Sequence, residues 1–165
     1  MLLYRLSSHK FVDDLSGEGA RLYGGRWNAI GQAAIYTSNS LSLAFLEVLC
    51  HTKLSLIKDR FSVLVLEFDN QAGGLNIINE ADLPPNWNAY PTPDYIVEKG
   101  TNWLKSKASL GLSVPSAALP FPNNTEYNVL LNPNYPEFDK FVKIKEIAPF
   151  SFDDRLIRLN EKGRF

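Results

Sequence analysis

The run Phe61-Ser62-Val63-Leu64-Val65-Leu66-Glu67-Phe68 is apolar nearly throughout and too short for an ordinary buried helix. It predicts a strand covered on both faces, and hence a strand at the centre of a sheet. Working outward, Leu2 to Leu6 and Ala33 to Thr37 read as strands before it, and Leu110 to Val114, Tyr127 to Leu131 and Phe141 to Ile147 as strands after it. Two helices interrupt the series. Ser40 can cap one running from Leu41 to about His51, and Pro93-Asp94 can open another that continues through Trp103 toward Ser106. There is no repeat and no low-complexity tract. The pattern predicts an α+β fold, a single compact domain over residues 1–165 with a mixed or antiparallel β core and a few flanking helices. Asn70 to Pro93, with its several Asn and Pro residues, reads as an irregular excursion rather than a linker.

With 45% hydrophobic and 21% charged residues, the chain can bury a core of its own. One cysteine, Cys50, excludes an internal disulfide framework, and no charged segment followed by an apolar run and a cleavage site opens the sequence. A reducing, cytoplasmic setting is expected. No apolar run approaches the roughly 18 residues of a spanning helix, so no membrane insertion is expected. The 17 basic and 18 acidic residues are unevenly spread: residues 1–60 carry +2, residues 61–140 carry −5 and residues 141–165 carry +2. No basic cluster with interleaved aromatics appears, which disfavours direct nucleic-acid binding.

Upstream of the second helix, Gly17-Glu18-Gly19-Ala20-Arg21-Leu22-Tyr23-Gly24-Gly25-Arg26-Trp27-Asn28 interleaves four glycines with two arginines, rings and an amide. The segment reads as a loop too glycine-rich for regular structure. Glycine lets backbone approach a ligand closely, and a guanidinium offers a planar fork to a phosphate or carboxylate. The plain alternative is a surface loop with solvated arginines and Tyr23 and Trp27 tucked inward. In the helix after Ser40, Glu47 stands among Leu43, Ala44 and Cys50, with His51 one turn on. A carboxylate on so apolar a face requires a cation or hydrogen-bond donors, and Arg5 and Arg26 are the candidates. A purely structural Glu47–His51 pair or Glu47–Arg bridge competes with a catalytic role. Ser113-Val114-Pro115-Ser116-Ala117 ends a strand at a proline and can present the Ser116 hydroxyl from a bend.

Counting removes several chemistries. With only His9 and His51, a single cysteine and no Cys-x-x-Cys or His-Glu-x-x-His spacing, no metal site is expected. The Gly-x-Ser-x-Gly elbow, the Walker-type loop and the dinucleotide Gly-x-Gly-x-x-Gly followed by a long helix are absent. His51 can act as an acid or base near neutrality, but its place at a helix end fits a capping or pairing role equally well.

Gly24-Gly25-Arg26-Trp27-Asn28, Ile35-Tyr36-Thr37-Ser38, Leu46-Glu47-Val48-Leu49 and Val114-Pro115-Ser116 occur in the order found in RES-domain proteins, which the chain resembles. The likeness extends from Tyr4-Arg5 to Glu126-Tyr127-Asn128-Val129-Leu130-Leu131-Asn132-Pro133, and so covers most of the sequence. The family is named for an Arg, a Glu and a Ser, which here look like Arg26, Glu47 and Ser116. The resemblance implies a toxin of a bacterial toxin–antitoxin pair, with a fold similar to ADP-ribosyltransferases, that acts on NAD as substrate and needs no other cofactor. It also implies a helix-turn-helix, Xre-type antitoxin as partner and a homodimeric toxin.

Cleaving the nicotinamide–ribose bond builds positive charge on the sugar, and a fixed carboxylate can stabilise that charge or hold the ribose hydroxyls. The resemblance assigns that work to Glu47. It implies Arg26 and Arg5 at the pyrophosphate or adjoining ribose, Tyr36 against the nicotinamide or ribose, and Ser38, Ser116 and Asn128 as polar contacts. Nicotinamide leaves neutral, so a strong general acid is unnecessary. The acceptor stays open: water gives a glycohydrolase, phosphate a phosphorylase, and a protein side chain an ADP-ribosyltransferase. Two further classes compete, a non-catalytic nucleotide-binding module and an RNA-capturing protein; Glu47 argues against the first and the missing basic patch against the second.

Overall fold

The computed structural model describes residues 1–53, 57, 60–121, 125–153 and 155. In chain order the elements are β1 (Leu2–Ser8), α1 (Glu18–Tyr23), β2 (Ile35–Ser38), α2 (Leu41–Leu49), β3 (Phe61–Phe68), β4 (Leu75–Ile77), α3 (Asp94–Ser106), β5 (Gly111–Val114), β6 (Asn128–Leu131), α4 (Phe138–Phe141) and β7 (Val142–Pro149). Among the described residues the strands form one seven-stranded sheet in the order β4-β5-β6-β2-β1-β3-β7. Neighbours are antiparallel except β4 and β5, which are parallel. The fold is α+β, as the alternation of short strands and helices predicts.

Both faces of β3 are covered, which is why its sequence does not alternate. Leu64, Leu66 and Phe68 join a core cluster with Leu3, Ile35, Leu110, Val129 and Leu131. Val63 and Val65 face the other way, against Leu6 and the Phe45, Val48 and Leu49 side chains of α2. Burying each such side chain stabilises the fold by about 1.5–3 kcal/mol relative to leaving it in water. The expectation of a central position is corrected, however. β3 lies between β1 and β7, one strand from the edge, because the eight-residue β7 supplies the outer ladder. Apolarity on both faces reports the layers above and below a strand, not its rank within the sheet.

On the other half of the sheet, Ile96, Trp103 and Leu104 of α3 pack over Leu112, Val114 and Leu130, with Trp27 and Trp87 in the same cluster. Between the two halves the sheet splits. β1 pairs with β3 from Leu2 to Ser8 but meets β2 only at Tyr4, opposite Ser38. Beyond that position the two strands part, and a cleft opens between them.

Two local expectations are revised. The glycine-rich stretch contains a helix, α1, because its glycines stand mainly at the ends. Gly17 (φ +70°) and Gly24 (φ +72°) take positive φ at its two caps, Gly19 alone lies inside, and Glu18 and Arg21 pair one turn apart at 2.6 Å. The Asn70–Pro93 excursion holds β4, whose three residues leave Ile77 64% exposed and so carry no apolar alternation to read.

Candidate functional site

The second helix begins where expected, with the Ser40 hydroxyl accepting the Leu43 N–H at 3.1 Å. Leu43 and Ala44 face the core, and Glu47, one turn after them, faces the cleft. The Ser116 hydroxyl donates to Glu47 Oε1 at 2.7 Å, and Asn128 Nδ2 donates to the same oxygen at 2.5 Å. Each donor is itself fixed. Ser116 accepts the N–H groups of Ala118 and Leu119, both at 3.1 Å, in the bend after β5. Asn128 Oδ1 accepts the Ser38 hydroxyl at 2.6 Å across the β2–β6 register. Ser116 and Asn128 therefore converge on one oxygen of Glu47, with Ser38 holding Asn128 from behind. No hydrogen bond to the other oxygen, Oε2, is formed among the described residues, and Glu47 lines the cleft.

This arrangement differs from the pairing that the apolar helix face suggests. Among the described residues Glu47 is met by a hydroxyl and an amide rather than by an arginine or His51. Both donors are neutral groups, so no cation touches the carboxyl group.

The cleft is a cavity of about 900 Å³. Arg5, Arg26, Tyr36, Ser38, Glu47 and Asn128 all line it, whereas Ser116, only 2% exposed, stands behind Glu47 as a positioning residue. Arg26 Nη1 donates to the carbonyls of Trp87 (3.1 Å) and Ala89 (3.3 Å), and Nη2 donates to Ala89 at 3.3 Å. Burial lowers the Arg26 pKa from its ordinary value, opposed chiefly by the charge of Glu47, so the two groups share one electrostatic environment. Arg5 is also lowered by burial, and its Nη1 is tied to the Asp14 carbonyl at 2.6 Å.

Arg26 is aimed by a small polar frame. The Tyr36 hydroxyl donates to Asn28 Oδ1 at 2.7 Å and accepts the Trp27 N–H at 3.0 Å, while Asn28 Nδ2 ties down the Ala20 and Gln32 carbonyls at 2.8 and 3.0 Å. Burial pushes the Tyr36 phenol well above its ordinary pKa, so it stays protonated and keeps that donor role. Gly25 is required beside it, since a Cβ there would lie 2.6 Å from the Tyr36 hydroxyl. Asn28, 1% exposed, belongs to the quoted motif, but nothing in its local sequence marks it as the frame's anchor.

Cys50 and His51 also line the cavity. Burial, then the Glu47 charge, raises the Cys50 thiol pKa, which keeps it protonated and poorly nucleophilic. Among the described residues no group of three or more His, Cys, Asp or Glu side chains is placed to hold a metal ion. The unanticipated lining comes from Asn88, Tyr90 and Thr92, contributed by the Asn70–Pro93 segment.

The RES domain family model matches residues 2–153. Toxin Res of Photorhabdus laumondii subsp. laumondii is 39% identical over 160 residues, which is 96% of this chain and 98% of that protein. The Prs ADP-ribosylating toxin of Sphingobium sp. is 34% identical over 148 residues, 89% of each chain. A chain in the crystal structure of the M. tuberculosis MbcT–MbcA toxin–antitoxin complex superposes with a TM-score of 0.68 at 18% identity, covering 91% of this chain and 84% of its own, which shows a shared fold. From its first strand to beyond its last, the chain belongs to the RES domain family.

Proposed function

We propose that this chain is the toxin of a toxin–antitoxin pair and cleaves NAD at the nicotinamide–ribose bond, depleting the cytoplasmic pool and arresting growth. The observation that carries the reading is Glu47, with Oε1 held by Ser116 and Asn128 in a cavity that Arg26 also lines. As the glycosidic C–N bond breaks, its electron pair leaves with nicotinamide, which departs neutral. The positive charge remaining on the ribose lies where a fixed carboxylate can stabilise it. The oxygen of a water molecule then bonds to the sugar carbon and releases a proton, giving ADP-ribose. Arg26 binds the pyrophosphate and Arg5 supports it, Tyr36 lies along the nicotinamide ribose, and no metal takes part.

Transfer of ADP-ribose to a protein is the second reading, favoured by the name of the Sphingobium relative; phosphorolysis differs from both only in the acceptor. The partner is a helix-turn-helix, Xre-type antitoxin that obstructs the cavity, and the toxin itself is a homodimer.

Purified protein incubated with NAD is expected to release nicotinamide in step with NAD loss. Water as acceptor leaves ADP-ribose, added phosphate traps a phosphorylated ADP-ribose, and cell extract yields a labelled protein if transfer is the reaction. NAD left intact by folded protein with all three acceptors overturns the proposal.

Arg26→Lys is expected to slow NAD turnover by at least about tenfold, because a point charge cannot replace a guanidinium that gives three N–H groups to the Trp87 and Ala89 carbonyls and keeps its others for a pyrophosphate. Turnover near the parent rate would reduce Arg26 to general electrostatic attraction.

A further inference from the structure

Tyr90 is 91% exposed, yet it lines the cavity between Asn88 and Thr92. The backbone that carries it is held firmly. Arg26 binds the Trp87 and Ala89 carbonyls, Trp87 is only 3% exposed, and the Trp87 and Ala89 N–H groups bond back to Pro84 and Asn86 at 2.9 and 3.1 Å. An aromatic face left open at a cavity wall on a fixed backbone suits a flat ring in the ligand, because little ordering is needed when the ring stacks.

The order of groups along the cavity indicates which ring. Within this one cavity Arg26 is the group that hydrogen-bonds the Tyr90 segment, at the Ala89 carbonyl, whereas Glu47 is held by Ser116 and Asn128. If Glu47 marks the scissile nicotinamide–ribose bond and Arg26 the pyrophosphate, the region beyond Arg26 receives the other nucleoside. The cavity, at about 900 Å³, stands near the top of the roughly 300–1,000 Å³ range of small-molecule sites, which suits a dinucleotide better than a mononucleotide. We infer that Tyr90 is the stacking platform for the purine base of the adenosine half of NAD, flanked by Asn88 and Thr92, and that it makes the site selective for the dinucleotide over nicotinamide mononucleotide. The inference rests on the NAD reading of the same cavity.

The test is steady-state cleavage of NAD and of nicotinamide mononucleotide by the parent, Tyr90→Ala and Tyr90→Phe. Loss of one base–aromatic stack is expected to raise the KM of Tyr90→Ala for NAD about tenfold at unchanged kcat, while Tyr90→Phe and all mononucleotide parameters stay within about twofold of the parent. An unchanged KM for NAD, or an equal change on both substrates, overturns the inference. If the parent cleaves neither substrate, the NAD reading itself has failed. The platform is then judged by calorimetric titration with AMP: about tenfold weaker binding to Tyr90→Ala supports it, and equal affinity or no binding by the parent overturns it.

Discussion

Glu47→Gln is expected to lower NAD consumption by about a hundredfold to a thousandfold, the usual cost of losing one preorganised electrostatic contact to a developing charge, and to relieve growth arrest in cells. The geometry makes this a clean substitution. The glutamine carbonyl oxygen can accept the same two hydrogen bonds, from Ser116 and Asn128, that Glu47 Oε1 accepts now, so the side chain keeps its place. Only Oε2, which neither donor touches, is replaced, by an amide nitrogen. Stability should therefore move by less than about 1 kcal/mol, the size of a single altered polar contact. A Glu47 whose work is to neutralise a buried arginine forecasts the reverse, a loss of about 3 kcal/mol or more on removing its charge. Nicotinamide release and denaturant melting on the same preparation separate the two. A folded Glu47→Gln that consumes NAD at the parent rate removes Glu47 from the chemistry.

What the sequence discloses about this molecule depends on how local the determining physics is. The Ser40 cap and the Pro93 helix start are set by neighbours within a turn, and both stand where the residues alone place them. β3 is bounded correctly because both of its faces are apolar, but its rank in the sheet depends on β7, whose outward Ile144 and Ile147 are 44% exposed and mix with charged residues. Helix α1 escapes notice because composition counts glycines without asking where they fall. At the site, Ser116 and Asn128 lie 69 and 81 residues from Glu47, and no periodicity in the chain brings them to one carboxylate oxygen. They are reached by the resemblance of spaced motifs, which names Ser116 as catalytic without indicating that it stands behind Glu47 and outside the cavity. Tyr90 has neither signal: its segment has no period, and its role depends on Arg26, whose bonds to that segment span 61 and 63 residues.

Gly100→Ala is expected to be the most damaging single-methyl change in the fold. An added Cβ would lie 2.0 Å from the Trp27 carbonyl oxygen, 2.8 Å from its carbonyl carbon and 2.9 Å from its Cβ. Two of those contacts are backbone, which cannot rotate away as a flexible side chain would. In an exposed helix interior the same substitution stabilises by up to about 1 kcal/mol, since alanine is the better helix former. Here the overlap must be relieved by moving α3 or the loop, and a net loss of about 3 kcal/mol is expected, at the upper end of ordinary overpacking costs. The movement also reaches the site. Trp27 follows Arg26 directly, and the Ala29 N–H is held by Thr101 Oγ1 at 2.9 Å, one residue along the helix from Gly100. Whatever fraction of Gly100→Ala folds should thus bind NAD more weakly than its stability alone predicts. Gly19→Ala is the control: a Cβ there meets nothing within 4 Å, so the change should be neutral or stabilising by up to about 1 kcal/mol. Denaturant midpoints of the two variants against the parent decide the matter, and a Gly100→Ala protein as stable as the parent would mean that α3 and the Arg26 loop do not meet at this closeness.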